Sequence, residues 1–577
     1  MTRFIIFLFF GLCTKLSAQQ NHDFVWPFAY KAINGPFGVG ILDFNTISGT
    51  PKVYNDLNKA INYELTCASV ADSFGRFLFS YNGLSIDDAS GAIMENGDSF
   101  GAWNLNGGIP EGGIILPIHE KSNQYILIHE TWDYLGNWGT AGNKILYSII
   151  DMNNNHGLGA VASKNNLVFT DTLDYGKVAA ARHANGRDWW VVVPKYDSNI
   201  YFSFIVTPDG LFYYDKQEVG KINLAGYGQA TFSPNGTYYA KFSTIDETSG
   251  AYFDIYNFDR CTGDLSNHHQ IFFSNGVLSG GVAFSQNSKF LYIAYSDHIY
   301  QIDLTNNGYQ LNVVADFDGY HSQPSPSFLV PTYFGQMRLG PDGKIYCSPT
   351  IYPVSELHTI EKPDLLGIDC SVNQHSIKLP VLQQSLPNFP NYRLGPIDDS
   401  TCDTLGLDNR PVAWWRHEQD TLDPLLMEFR DLSYYEPSYW HWDFGDGISS
   451  TDRHPTHLFG KEGIYQVCLI VGNENSTDTL CRALHLGISA QDNLELQNQI
   501  QAWPNPFQDW LTVALNTPLH VPLLHIYDQM GRRVMIKHLA YGVTEISTRN
   551  LPSGMYHWEV CAEGHVIKVG KSIKIAK

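Results

Sequence analysis

An all-β chain is predicted, built as an N-terminal β-propeller of about seven blades, a middle β-sandwich and a small C-terminal sandwich. Three observations carry this. A turn-plus-strand pattern recurs about every 50 residues through the first two thirds of the chain. Short runs of alternating apolar and polar residues, the period-2 signature of half-buried strands, fill the remainder. The composition is 14% aromatic and only 16% charged, with 50 glycines in 577 residues, which describes strands joined by many tight turns and is too apolar for disorder.

The repeat runs from Asp23 to about Pro396, taken as residues 23–396. Each copy places a turn of Asn, Asp, Gly or Ser before an aromatic strand: Ser73-Phe74-Gly75-Arg76-Phe77, Ser122-Asn123-Gln124-Tyr125, Asn185-Gly186-Arg187-Asp188-Trp189, Pro234-Asn235-Gly236-Thr237-Tyr238, Gln286-Asn287-Ser288-Lys289-Phe290 and Pro341-Asp342-Gly343-Lys344-Ile345. The markers Phe77, Tyr125, Trp189, Tyr238, Phe290 and Ile345 are spaced by 48, 64, 49, 52 and 55 residues. That period accommodates three or four antiparallel strands, the content of one propeller blade. A row of separate sandwiches needs a period of about 90 to 100 residues instead. Six copies plus strands around Gly38–Phe44 give seven blades, with six or eight as alternatives. The ring is expected to close by pairing Phe24–Phe44 with Leu386–Arg393. Three stretches, Tyr147–Met152, His183–Trp190 and Phe334–Tyr346, resemble a propeller found in secreted Bacteroidetes-type proteins. That resemblance implies a following sandwich and a sorting tail, and no defined enzymatic activity.

The second module spans 410–488. In Tyr439-Trp440-His441-Trp442-Asp443-Phe444, alternation puts Trp440, Trp442 and Phe444 on one face, as core. Gly445-Asp446-Gly447 makes a tight turn, and Gly463-Ile464-Tyr465 opens a second long strand. Trp442, Asp443, Phe444, Gly445, Asp446 and Gly447, followed at this separation by Tyr465, resemble the signature of a polycystic-kidney-disease (PKD) domain, an immunoglobulin-like sandwich. Asp443 and Asp446 are read as turn caps, because two carboxylates fall short of the six or more oxygens that calcium takes. Cys468 and Cys481 lie symmetrically about Glu474-Asn475, the middle of a predicted hairpin, so they face each other across two strands within disulfide reach.

After a linker at 489–501, residues 502–577 open on Trp503-Pro504-Asn505-Pro506-Phe507, where the two prolines force an extended path. Short strands follow, then Gly531 and Leu551-Pro552-Ser553-Gly554-Met555-Tyr556. Pro504, Asn505, Pro506, Gly531, Gly554 and Tyr556 carry a resemblance to the type A C-terminal sorting domain of the type IX secretion system of Bacteroidetes-type bacteria. The resemblance implies the secretion machinery as partner and a secreted or outer-surface location reached through the periplasm. Residues 1–18 support export independently: Arg3 gives a positive start, Ile5–Leu12 is an apolar run too short for a bilayer, and Ala18 ends the segment. Cys13 is read as ordinary signal sequence, since bulky Leu12 precedes it. No later stretch reaches 18 uninterrupted apolar residues, so no membrane span is expected.

Charge and motifs narrow the chemistry. The formal net charge is −21, which opposes nucleic-acid and anionic-membrane binding. Apart from Cys13, eight of the nine cysteines remain, an even number suited to an oxidising compartment, but Cys67, Cys261, Cys347, Cys370, Cys402 and Cys561 cannot be paired from sequence. None has zinc-site spacing. His119-Glu120 and His129-Glu130 lack a second histidine one turn on, His268-His269 reads as a solvated turn pair, and Asp316-Phe317-Asp318-Gly319 has no third carboxylate at useful spacing. No cofactor, metal or catalytic residue is expected. The favoured reading is an exported binding or adhesion protein whose propeller and PKD domain engage an extracellular glycan or protein, using exposed aromatics such as Trp103, Trp132 and Trp138. The alternative is a propeller hydrolase or lyase acting on polysaccharide with the PKD domain as spacer. It requires acids from different blades to converge.

Overall fold

The computed structural model describes residues 20–30, 38–46, 50–59, 61–63, 65–100, 108–134, 140–222, 224–244, 250–274, 280–306, 308–325, 328–349, 352–420, 422–486, 500–515, 522–528, 533–562 and 565–575. The signal segment 1–18, most of the linker at 489–501, and Gly531, Trp103 and Trp138 lie outside them. The chain divides into two units, one holding the repeat region and one holding the last two modules.

In the first unit the described strands form seven successive antiparallel sheets, each built from strands consecutive in sequence. Blade 1 holds Val25–Phe28, Val39–Asp43 and Lys52–Asp56, and blade 2 holds Ala68–Ala71, Phe77–Tyr81 and Ile86–Asp88. Blades 3 to 7 have four strands each and begin at Gly113–Pro117, Ala179–Arg182, Tyr227–Phe232, Gly280–Phe284 and Phe334–Leu339. A two-stranded hairpin, His321–Ser325 with Phe328–Pro331, stands between blades 6 and 7. First strands lie side by side between blades 1 and 2, 2 and 3, and from blade 4 through blade 7, as around a propeller axis. The six sequence markers all fall at the head of a second strand. The 64-residue interval arises from the long third and fourth strands of blade 3, Thr140–Asp151 and Ala160–Leu173, whose pairing is interrupted by four register shifts.

Asn and Asp recur in the turns because their side chains cap them. Asp72 Oδ1 accepts from the Phe74 and Arg76 amides, Asn185 Oδ1 from Arg187 and Asp188, Asn235 Oδ1 from Thr237, and Asn287 Oδ1 from Lys289. These are Asx turns, which satisfy backbone donors that no ladder reaches.

Closure differs from expectation. The last strand, Val372–Gln383, packs on blade 1, where the Tyr30 amide donates to Leu382 O at 2.8 Å. Gly40 leaves room for it: a Cβ there would stand 2.8 Å from Val381 Cγ2. Residues 386–393 join no sheet. Pro387 and Pro390 have no N–H to give a ladder, and the segment instead threads the axis as a plug. Asn388 ties the inner ends of four blades. Its amide donates to Cys67 O, its Nδ2 donates to Gly113 O and Val178 O, and its Oδ1 accepts from Arg338. Tyr392, fully buried, donates to Ile115 O at 2.8 Å.

Blade 7 carries a pH-sensitive joint. His358 donates from Nε2 to Thr332 O at 3.0 Å and accepts at Nδ1 from the His375 amide at 2.8 Å. That geometry requires a neutral ring, and burial pulls its pKa down to about 4. A histidine depressed in the native state binds fewer protons there than in the unfolded chain, so its stabilisation is complete above about pH 6.5 and is lost as pH falls towards 4. His358→Gln is therefore expected to lower stability at pH 7, yet to flatten its dependence on pH between 6.5 and 4 by up to about 1.36 kcal/mol per pH unit. Urea midpoints across that range measure this; parallel curves for the two proteins would refute the assignment.

In the second unit, the middle module is a two-sheet sandwich. One sheet pairs Trp415–Gln419, Leu426–Asp431 and Thr456–Leu458, and the other pairs Ser449–Ser450, Tyr439–Asp443, Gly463–Gly472 and Thr477–Leu486. Trp415, Phe429, Trp442, Phe444, Phe459, Val467 and Leu469 interdigitate between them. The last module repeats the design, with a three-stranded sheet (Ile500–Trp503, Trp510–Leu515, Gly542–Ser547) and a four-stranded sheet (Arg533–His538, Leu523–Tyr527, Gly554–Ala562, His565–Lys574). Val513, Leu524, Ile526, Tyr556, Trp558 and Val560 share its core.

Candidate functional site

The turns that mark the repeat bring side chains from three blades to one cleft. It has a volume of about 480 Å³ and lies among Asp72–Arg76 of blade 2, Pro117–Tyr125 of blade 3 and Arg182 and Gly186 of blade 4. Gly186 has a left-handed φ of 73°, and a Cβ there would meet Pro396 at 2.9 Å, so a bulkier residue would disturb this wall. Arg182 forms the floor. Its guanidinium stacks on Trp189, 3.8 Å from the ring centroid, and donates to Arg187 O and Tyr392 O, while its buried Nε has no partner among the described residues. Burial lowers its pKa to about 10, which leaves it cationic at neutral pH. His22 beside it donates from Nδ1 to Ala71 O at 2.7 Å, and burial holds its pKa near 4, so the ring is neutral. Burial and then Arg182 also push His119 down. The cleft carboxylates are engaged: Asp72 with Arg76, and Glu120 with Arg187 at 3.5 Å. A polar, locally cationic cleft thus sits on a strongly acidic protein.

Acids from different blades do converge, but elsewhere. Glu111, Glu130 and Asp174 are buried with Lys177, Lys241 and Arg338. Lys177 and Lys241 approach Asp174 at 3.0 and 3.6 Å, Arg338 pairs with Glu111, and burial drives the Glu130 carboxyl well up. Glu130 packs where any side chain at Gly142 would overlap its carboxyl. This network holds blades together within the protein, and none of it lines the cleft. Sequence reading could not find either constellation, because each is assembled from separate blades.

The other singled-out histidines have structural partners. His268 is not a solvated turn residue: it pairs with Asp254 at 2.7 Å and stacks on Tyr256, because it lies on the fourth strand of blade 5 beside the third. His269 stacks on Tyr309. Asp318 meets His375 at 2.8 Å, and Trp132 rests edge-on against Tyr175.

In the middle module, Asp443 Oδ1 accepts from the Gly445 amide and Asp446 Oδ1 from Ile448, while Asp446 Oδ2 meets His457 at 2.8 Å. Both aspartates are thus spent on the turn. Gly445 and Gly447 have left-handed φ values of 79° and 92°, and a Cβ on Gly445 would strike the Gln466 backbone at 2.6 Å. Trp442 and Phe444 are buried, and Tyr465 packs on Phe459 and donates to Lys461 O. Cys468 and Cys481 are direct cross-strand partners joined by a disulfide, with Cα atoms 4.0 Å apart. A second disulfide, not legible in the sequence, joins Cys261 to Cys402 across 141 residues.

In the last module Asn505 acts as a backbone mimic. Its Nδ2 donates to Lys571 O and its Oδ1 accepts from the Ile573 amide, after which Phe507 and Ile573 to Ile575 continue the pairing. Pro504 and Pro506 hold Asn505 in that position, pinning the start of the module to its final strand. Gly554 opens the strand opposite Lys574, and buried Tyr556 donates to Pro552 O at 2.7 Å.

Comparison with known proteins agrees with these two modules. Residues 418–485 match the PKD domain family, and residues 501–574 match the secretion system C-terminal sorting domain family. Collagenase ColQ1 of Bacillus cereus (strain Q1) is 48% identical over 42 residues, which is 7% of this chain. The chain spans only 4% of the length of that relative. The PKD1 domain of the Vibrio cholerae metalloprotease PrtV is 27% identical, with 14% of this chain and 98% of that chain covered at a TM-score of 0.13. Hydrazine synthase of Kuenenia stuttgartiensis is 14% identical, with 64% of this chain and 100% of that chain covered at a TM-score of 0.35. The propeller assignment rests on the chain's own sheet order. No helix among the described residues is long and apolar enough to cross a membrane. Residues 418–485 are a PKD domain and residues 501–574 a type IX secretion sorting domain, so the chain is an exported protein routed to the outer surface or the medium.

Proposed function

We propose that this is an exported binding protein whose propeller takes an extracellular glycan or protein in the cleft between blades 2, 3 and 4, with the PKD domain as a second adhesive module. The carrying observation is the division of labour among its charged groups. Of the acids that converge from several blades, Asp174 and Glu111 are buried against lysine and arginine and Glu130 is buried with its carboxyl driven up, all away from the cleft. The open cleft instead offers Arg182, Lys121, two histidines and carboxylates already paired with arginine. Such a lining provides hydrogen bonds and two cationic anchors, Arg182 and Lys121, for a ligand. Glycosidic cleavage, by contrast, calls for two carboxyl groups facing one bond.

Full-length protein is to be incubated with neutral and acidic polysaccharides and host-type glycoproteins, scoring both retention and new reducing or unsaturated ends. The expected result is retention without product, weakened about tenfold, or 1.4 kcal/mol, by Arg76→Ala combined with Lys121→Ala. Steady product formation, abolished by replacing one Asp, Glu or His, would instead make the protein a hydrolase or lyase.

A further inference from the structure

The sorting domain carries a constellation that its role as an address does not use. His525 and Glu559 are directly opposed on the two central strands of its four-stranded sheet. Cys561 lies two residues beyond Glu559 and so shares its face. Leu524, Ile526, Trp558 and Val560 alternate with them into the core, which sends His525, Tyr527, Glu559 and Cys561 to the opposite face. Ligand atoms of His525, Glu559 and Cys561 all lie within 4.8 Å of one another, and Cys561 Sγ stands 3.7 Å from His525 Nδ1.

The two central strands pair with each other without a register shift; the extra residues lie on the outer strands, one opposite Ile526 and Tyr527 and one opposite Val560 and Cys561.

We propose that His525, Glu559 and Cys561 bind a zinc ion, with water completing a tetrahedron. The donor set is one imidazole nitrogen, one carboxylate oxygen and one sulfur, a combination that suits borderline-soft Zn²⁺ and is poor for calcium or magnesium, which take oxygen. Zinc bond lengths place tetrahedral nitrogen and sulfur ligands about 3.5 Å apart, close to the His525–Cys561 separation. Tyr527 supplies an outer contact: its hydroxyl donates to Glu559 Oε2 at 3.0 Å, orienting that ligand. On binding, Cys561 loses its thiol proton to solvent and the thiolate takes the metal, so affinity rises with pH. The zinc clamps the central strands together.

The sequence hid this set because its ligands come from strands 34 residues apart, His525 to Glu559, rather than from one loop.

Full-length protein stripped with chelator and titrated with Co²⁺ should develop a thiolate-to-cobalt charge-transfer band in the near ultraviolet, saturating at one equivalent and erased by Zn²⁺. Cys561→Ser should abolish the band and Tyr527→Phe should weaken cobalt affinity about tenfold. A readout on the unmutated chain guards against misfolded variants: one equivalent of Zn²⁺ should slow alkylation of Cys561, mapped by mass, at least tenfold. A wild-type chain with no sulfur band, a band that survives Cys561→Ser, or alkylation indifferent to zinc would overturn the site. Metal held only by surface histidines gives no sulfur band and so counts against it.

Discussion

A chain ending before Trp503 is expected to fold its propeller and PKD domain yet accumulate in the periplasm, with surface and medium levels falling to near zero. The reason is that residues 501–574 are the sorting domain, while the upstream modules have cores of their own. A subtler variant tests the chemistry of the address. Asn505→Ala removes both side-chain bonds to the final strand, the donation to Lys571 O and the acceptance from Ile573. That should cost the module about 1 to 3 kcal/mol and reduce export in proportion to the fraction unfolded. Fractionation of cells expressing each variant measures this. Full-length amounts of the truncated chain at the surface would remove the sorting domain from the export route.

What the sequence disclosed and what it withheld divide along one physical line. Local rules were legible. Asp72, Asn185, Asn235 and Asn287 advertise their turns because an Asx cap is made within five residues, and the turn positions in turn locate the second strand of each blade. Trp442 and Phe444 advertise a core face because strand alternation is a property of neighbours. Cys468 and Cys481 were readable because a hairpin's centre fixes which residues face each other. Properties that depend on ring closure were not legible. Leu386–Arg393 looks like a closing strand by composition and is a plug, and only the prolines at 387 and 390 hint at it. The Cys261–Cys402 bond, the buried acids and the cleft each join residues from different blades or distant loops, and no local period records such a meeting. The His525, Glu559 and Cys561 group falls between the two cases, since Glu559 and Cys561 show the alternation but the partner strand is needed to complete the set.

The largest effect on stability is expected at the axis, at Glu111→Gln. Glu111 enters blade 3, accepts from the Ala230 amide of blade 5 at 2.9 Å and pairs with Arg338 of blade 7, so one side chain joins three blades. Arg338 also donates to Phe389 O and Asn388 Oδ1, coupling the pair to the plug. Burial raises the Glu111 carboxyl and Arg338 opposes that rise, so the ion pair survives only while both partners are present. The amide of Gln keeps an acceptor for Ala230 but leaves the Arg338 charge uncompensated in the interior, which costs about 3 to 5 kcal/mol when one half of a buried pair is removed. Replacing both, as Glu111→Gln with Arg338→Met, removes the stranded charge and should recover more than half of that loss, because most of the cost lies in the uncompensated buried charge. Urea unfolding of the wild type, Glu111→Gln, Arg338→Met and the double variant closes the cycle. A loss below about 1 kcal/mol for the single variant, the range of an exposed pair, would show that water reaches Arg338 and that the plug does not seal the axis.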